Sequence, residues 1–269
     1  MKKDYRSKPV KKIVVIGESN AFGMCASDPR NEWVQTMANL IRDFQDESLE
    51  VLNNAIPANV ISPRSPGHAS LPEHGKPSAL ERYKKDLIEQ GPDLAIIAYG
   101  LNDSRCGNPV EYFLEDLEKI VSDTVKKTSA LVVLTSPYWN PQYNEEIWNN
   151  LDPQPEWASG EYKLFAKSGR DLVWSYVQGM EKLADKYGCL YVDLFSPTEN
   201  CTWLMHSDQC HFNDVGQRVL GMIIFNTIAS NCSFIGAKSS RIMTEGGFDI
   251  INTGGTQGMS RMIKGWLER

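Results

Sequence analysis

A parallel α/β sheet covered by helices on both faces is the fold class the sequence predicts. Two observations predict it. Short apolar, β-branched runs alternate along the chain with longer segments whose apolar residues recur every three or four positions. The short runs are continuously apolar, as in Ile13-Val14-Val15-Ile16, and do not alternate with polar residues. That is the pattern of strands buried on both faces, which parallel sheets require.

The elements follow in order. Lys12 to Ile16 is the first strand, stopped by Gly17. Asn31 to Phe44 places Trp33, Met37, Leu40, Ile41 and Phe44 on one helical face, and Leu49 to Asn53 is a second, short strand. Asp93 to Tyr99 is a third strand, followed by a helix marked by Phe113, Leu117, Ile120, Val121 and Val125. Ala130 to Thr135 is the fourth strand. A long helix then runs from Phe165 through Leu172, Tyr176, Met180 and Leu183 to Tyr187, capped by Gly188. Cys189 to Leu194 is the fifth strand. Val215, Val219, Leu220 and Ile223 mark a last helix, opened by Asn213 or Asp214 as N-cap. Five strands are expected in one domain over residues 1–232, with 233–269 a C-terminal extension of unassigned role. Two long connections, Pro57 to Ser78 and Pro137 to Glu161, interrupt the alternation, and loops of that length are usually functional or disordered.

Composition removes several functions. The net charge is −6, which disfavours nucleic acid as a partner. No run approaches the roughly 18–20 apolar residues of a membrane span. The basic N-terminal stretch is followed by only four continuously apolar residues, so no export signal is expected. The six cysteines lie far apart without a CxxC pair, the pattern of reduced thiols, and a cytoplasmic location is expected.

Three strand ends carry chemistry. They are Gly17-Glu18-Ser19, Gly100-Leu101-Asn102-Asp103, and the segment after the fifth strand, Asp208-Gln209-Cys210-His211. Parallel strands place all three on one edge of the sheet, where open α/β sheets bind ligands. A serine hydroxyl becomes a nucleophile when a base takes its proton. Histidine has the pKa for that task, and a carboxylate behind it fixes its tautomer. Ser19, His211 and Asp208 match those three roles. Asn102 and the Ser19 backbone N–H match the donors that an oxyanion needs. The bland alternatives are a helix cap at Ser19, a turn at Asn102-Asp103 and a surface histidine at 211.

The three blocks, in this order, resemble blocks I, III and V of the SGNH (GDSL-like) hydrolase superfamily over roughly residues 11–230. The resemblance implies a flavodoxin-like three-layer α/β/α sandwich with a five-stranded parallel sheet. It also implies Ser19 as nucleophile, His211 as base, Asp208 as its orienting carboxylate and Asn102 as oxyanion donor. The family's second block is a glycine after the second strand, and in Leu52-Asn53-Asn54-Ala55-Ile56-Pro57 it is Ala55 that stands there. Glu18 replaces the usual aspartate. The implied activity is that of a serine esterase without cofactor or metal. The substrate expected is a small or carbohydrate ester carrying a short acyl group such as acetyl. Transfer of the acyl group to another acceptor, or a non-catalytic binding module on the same fold, remain open at this point.

Other features have plainer readings. The Pro137–Glu161 connection holds Tyr138, Trp139, Tyr143, Trp148 and Trp157, which suit either a substrate wall or pins for the loop; of these, Tyr138, Trp139 and Trp148 are expected to contact substrate. His206, Cys210 and His211 match no zinc spacing, so no metal site is expected. His68 and His74 are expected to be solvated, and the glycine-rich 253–258 a plain turn.

Overall fold

All the strand pairings are parallel, and the sheet order is β2-β1-β3-β4-β5. The strands are β1 Lys12–Gly17, β2 Glu50–Asn53, β3 Leu94–Ala98, β4 Leu131–Thr135 and β5 Leu190–Val192. The helices are α1 Ser19–Phe22, α2 Trp33–Phe44, α3 Ala79–Tyr83, α4 Leu101–Arg105, α5 Val110–Lys127, α6 Glu145–Asn149, α7 Arg170–Tyr187 and α8 Asp214–Asn231. This computed structural model describes residues 2–45, 47–68, 76–160 and 162–236. The order is that of flavodoxin-like folds, in which the chain reverses direction across the sheet between β1 and β3.

Alternation along each strand explains why both faces are covered. Val14, Ile16, Ala95, Ile97, Val132 and Leu134 pack with α3, α5 and α7 on one face. Ile13, Val15, Leu94, Ile96, Leu131 and Val133 pack with α2 and α8 on the other. All are buried, which is why the strands read as unbroken apolar runs.

The long helix differs from expectation at its start. Phe165 lies in a separate 3-10 turn, Lys163–Ala166, and α7 begins at Arg170 after Gly169. The apolar periodicity ran across a break because Phe165 is also buried, but in another place. The loop from Pro137 contains α6 and several 3-10 turns, structure that its Pro- and Asn-rich composition hid. Asn213 is the N-cap of α8, its side chain accepting from Gly216 N. At the C-terminal side, Phe234 and Ile235 are buried in the main core. The packed domain therefore runs past 232 to at least Gly236, and the remainder of the expected extension lies outside the described residues.

Candidate active site

Ser19 is the first residue of α1, directly beyond the end of β1. Gly17 lets the chain turn there: a Cβ on it would lie 2.7 Å from Ala21 Cβ and 2.9 Å from the Ala98 carbonyl. Asn53, at the end of β2, donates from Nδ2 to the Ala21 carbonyl at 2.7 Å and so ties α1 to the neighbouring strand.

Glu18 explains how β1 and β3 are joined above the sheet. Its carboxylate is buried and accepts from the backbone N–H of Gly100 (2.6 Å), Leu101 (3.1 Å) and Asn102 (2.8 Å). These are orphan amides of the first turn of α4, so Glu18 caps a helix distant in sequence. Gly100, at φ +116, makes the turn into that helix. Burial, helped by the charge of Asp103, pushes the Glu18 carboxyl up to about 8 against the three amides. Asp103 is also buried; it accepts from Ile61 N and Asn108 Nδ2, and burial pushes it up to about 6. Asn102, held between them, donates from Nδ2 to the Asn59 carbonyl at 3.0 Å. That bond orients the carboxamide and leaves its second N–H for the cavity that Asn102 lines.

The third group comes from a tight turn. Asp208 Oδ1 accepts from the backbone N–H of Cys210 and of His211, both at 3.0 Å. Gln209 takes a left-handed φ of 54° between them. The turn is gripped from outside: Tyr138 Oη donates to the Cys210 carbonyl at 2.7 Å, and Trp157 Nε1 to the Asp208 carbonyl at 2.7 Å. The result is a linear array. Asp208 Oδ2 lies 2.6 Å from His211 Nδ1, and His211 Nε2 lies 2.8 Å from Ser19 Oγ.

The array is electrostatically poised. Burial alone would raise the Asp208 pKa, but the hydrogen bond and charge of His211 hold it well below the usual carboxylate range. Burial disfavours a charged His211, yet the Cys210 sulfur and the hydrogen bonds with Asp208, Cys210 and Cys25 hold its pKa well above the usual value. Cys210 is buried, and burial would raise its thiol. The Arg105 guanidinium, 2.8 Å from Sγ, and His211 draw its pKa down instead.

These groups open into a cavity of about 270 Å³. Ser19, Asn102, Asp208 and His211 all line it, so the structure brings these four expected residues together. It does not bring Ala55 there. The Ala55 amide donates to Asn53 Oδ1 at 3.2 Å and its side chain sits in the core. Ala58, three residues on, lines the cavity with φ +59, and no described residue takes its N–H. The left-handed backbone is the signature that a glycine in this block would have announced; alanine concealed it.

The aromatic expectation is corrected in the same way. Tyr138 and Trp139 are 2% and 1% exposed and belong to the core, not to the cavity wall. Tyr138 packs against Phe212 with the two rings tilted and holds the 208–211 turn, while Trp139 is anchored through its amide to Thr198 Oγ1. Trp148 lies against Trp157 and faces a different cleft, beside Arg170. The wall is made by Trp157, Tyr162 and Phe165, with Arg105, Met24 and Pro57. Of the same long connection, only its far end reaches the site.

Among the described residues, a metal-like grouping exists at Cys25, His206 and Asp208, with ligand atoms within 4.8 Å of one another. It is not the trio weighed from spacing, and its Asp208 is committed to His211. His68 is half-buried, 3.3 Å from Glu81, and so is less solvated than expected. His74 and the 253–258 segment lie outside the described residues. No described helix is long and apolar enough to cross a membrane.

Comparison with known proteins gives a consistent result. Residues 15–219 match the GDSL-like lipase/acylhydrolase family. No curated protein gave a match. Among solved structures, TesA superposes with a TM-score of 0.60 at 17% identity, covering 82% of this chain and 99% of its own. A lipase/acylhydrolase from Enterococcus faecalis gives 0.59 at 19% identity, covering 82% and 96%. A catalytic mutant of an acetylxylan esterase from Geobacillus stearothermophilus gives 0.58 at 18% identity, covering 83% and 95%. At such identities the likeness is one of fold.

Proposed function

We propose, for a chain that belongs to the GDSL-like lipase/acylhydrolase family, that it is a serine esterase acting through Ser19, His211 and Asp208. The observation that carries this reading is the array of contacts from Asp208 through His211 to Ser19, at 2.6 and 2.8 Å, opening into a cavity. In the proposed reaction His211 Nε2 takes the Ser19 proton as Oγ attacks the ester carbonyl. Asp208 stabilises the imidazolium that results. The oxyanion is met by the N–H groups of Ser19 and Ala58 and the carboxamide of Asn102, all on the cavity wall. His211 then returns the proton to the leaving alkoxide, and water, activated by the same imidazole, releases the acyl group from Ser19. These steps use the chain's own side chains, two backbone N–H groups and water.

The narrower reading is a short acyl group, such as acetyl, on a polar carrier. A cavity of about 270 Å³ suits a small acyl chain. A second, open cleft adjoins it, sharing Trp157, Tyr162 and Asp208, and offers polar walls from Gln154, Glu156 and Ser207 to a carrier. The fold likeness to an acetylxylan esterase supports a carbohydrate ester without establishing it. All six cysteines are free, which fits the proposed cytoplasmic location.

The test is a fluorophosphonate probe with 4-nitrophenyl acetate turnover. Wild-type protein is expected to label at Ser19 and hydrolyse the ester. Ser19→Ala is expected to lose labelling and about 10⁴-fold or more of kcat, with an unchanged unfolding transition. Labelling that persists in Ser19→Ala overturns the assignment, and a preference for acyl chains of about eight carbons or more overturns the short-acyl reading.

A further inference from the structure

Arg105 is an unusual residue to find in the wall of a small, largely apolar cavity. It is 3% exposed, yet it lines the space that holds Ser19 and His211. A guanidinium remains charged at every accessible pH and carries five N–H donors in a fixed plane. Two of its nitrogens are spent. Nε donates to Gln142 Oε1 at 2.8 Å, and Nη1 donates to Cys210 Sγ at 2.8 Å. No carboxylate among the described residues pairs with it, although other buried or half-buried arginines, such as Arg6 and Arg82, have carboxylate partners. No described residue accepts from Nη2.

The plane is held rigidly. Its carbon Cζ sits 4.3 Å from the centroid of the Trp157 ring and 5.8 Å from that of Phe165, both cavity residues. Gln142 and Cys210 fix the edges. A buried charge fixed this firmly, with a nitrogen to spare in a cavity that Ser19 also lines, is preorganised for an anionic oxygen. The bond to Cys210 Sγ occupies Nη1 only, so the Nη2 donors are left over whichever charge the sulfur carries.

We propose that Arg105 is a specificity-determining residue that binds a carboxylate on the substrate, so that the natural ester is an acid as well as an ester. This rests on the esterase reading and adds the substrate's charge to it. The carboxylate has two possible sources. It can belong to the alcohol part, as in an acetylated acidic sugar, or to the acyl part, as in a half-ester of a dicarboxylic acid. The chemistry that Arg105 reads is the same in both. Neutral acetyl esters are then poor substrates for a chemical reason, because the guanidinium must be buried against them with donors unpaired.

Two pairs of esters test this. In the first, 4-acetoxybenzoate is compared with its neutral methyl ester, which places the charge on the leaving group. In the second, mono-4-nitrophenyl glutarate is compared with 4-nitrophenyl valerate, which places it on the acyl group. The charged member of one pair is expected to have the higher kcat/KM by about tenfold or more, and the pair concerned identifies the source. Arg105→Gln is expected to lower kcat/KM for the charged ester by about tenfold or more beyond whatever it costs the neutral partner, so that the preference is lost, and Arg105→Lys to restore part of it.

Neutral esters favoured in both pairs, or an equal loss for charged and neutral esters in Arg105→Gln, overturns the proposal. The second result would make Arg105 a brace between α4 and the 208–211 turn. Should Arg105→Gln fail to fold, the wild-type preference decides alone. Fluorophosphonate labelling of Ser19 in the wild type keeps the two readings apart: labelling with no charge preference defeats this inference only, and absent labelling defeats the esterase reading.

Discussion

The two sides of the cavity are built on different principles. On one side Ser19 and Asn102 stand at the ends of β1 and β3, where backbone hydrogen bonds across the sheet and the buried carboxylate of Glu18 set their positions. On the other side Trp157, Tyr162 and Phe165 come from a long connection of short turns, and His211 from a turn gripped by Tyr138 and Trp157. The first side is held by the same interactions that form the sheet. The second is held by individual side chains, each reaching a long way in sequence. The sheet edge thus fixes Ser19 and Asn102, while the side chains of the loop and turn fix His211 and the shape of the cavity wall.

Substitutions on the two sides should therefore fail differently. The largest expected effect is on the strand-end side. Asn102→Ala removes one donor from the proposed oxyanion hole, and kcat should fall by about 10²- to 10³-fold with little change in KM. A rise in KM with kcat intact would move Asn102 from the transition state to ground-state binding.

Glu18→Ala sharpens the same side through stability. It leaves the amides of Gly100, Leu101 and Asn102 buried without their acceptor, and should cost about 3 kcal/mol or more in urea unfolding. Activity should fall with it, because Asn102 is the last of the three residues held. A variant as stable as wild type would show that water or a shift of α4 replaces the carboxylate.

The smallest effect expected is a displacement of the pH profile, and it belongs to the turn side. A base must be neutral to accept the serine proton, and the His211 pKa is held well above the usual value. The kcat/KM of wild type should therefore climb at a pH above the ordinary histidine pKa. Cys210→Ala removes the first of the groups that raise that pKa, so the rising limb should move to lower pH. A limb that stays in place would detach Cys210 from His211. The sign for stability is the reverse: the raised folded pKa of His211 contributes stability that is present below its unfolded value of about 6.5 and lost as pH rises through the folded value. Above the raised pKa, activity is gained where this contribution is gone.

Legibility followed the same division. Ser19, Asn102, Asp208 and His211 were readable because each follows a strand or a strand-linked turn, and parallel strands bring such ends to one edge whatever the loops do. Ala55 holds the place of the motif's glycine while Ala58 lines the cavity, and backbone conformation, not residue type, distinguishes the two: Ala58 adopts a φ of 59° that alanine does not advertise. Tyr138 and Trp139 had the composition of a substrate wall and the burial of a core. An aromatic ring is equally suited to either place, and only packing separates them. Glu18 read as a departure from a motif, yet its carboxylate reaches three amides more than 80 residues away.

The chain by itself determined the sheet, the order of its strands' chemistry and the identity of the groups at its edge. Those follow from local periodicity and from the geometry of parallel strands, which involve neighbours in sequence or in register. Tertiary structure alone decided which amide lines the cavity, which aromatics face it, and that Arg105 is buried there with Nη2 unspent. These depend on contacts between segments far apart in the chain, where burial and hydrogen-bond satisfaction are settled only when every segment is in place.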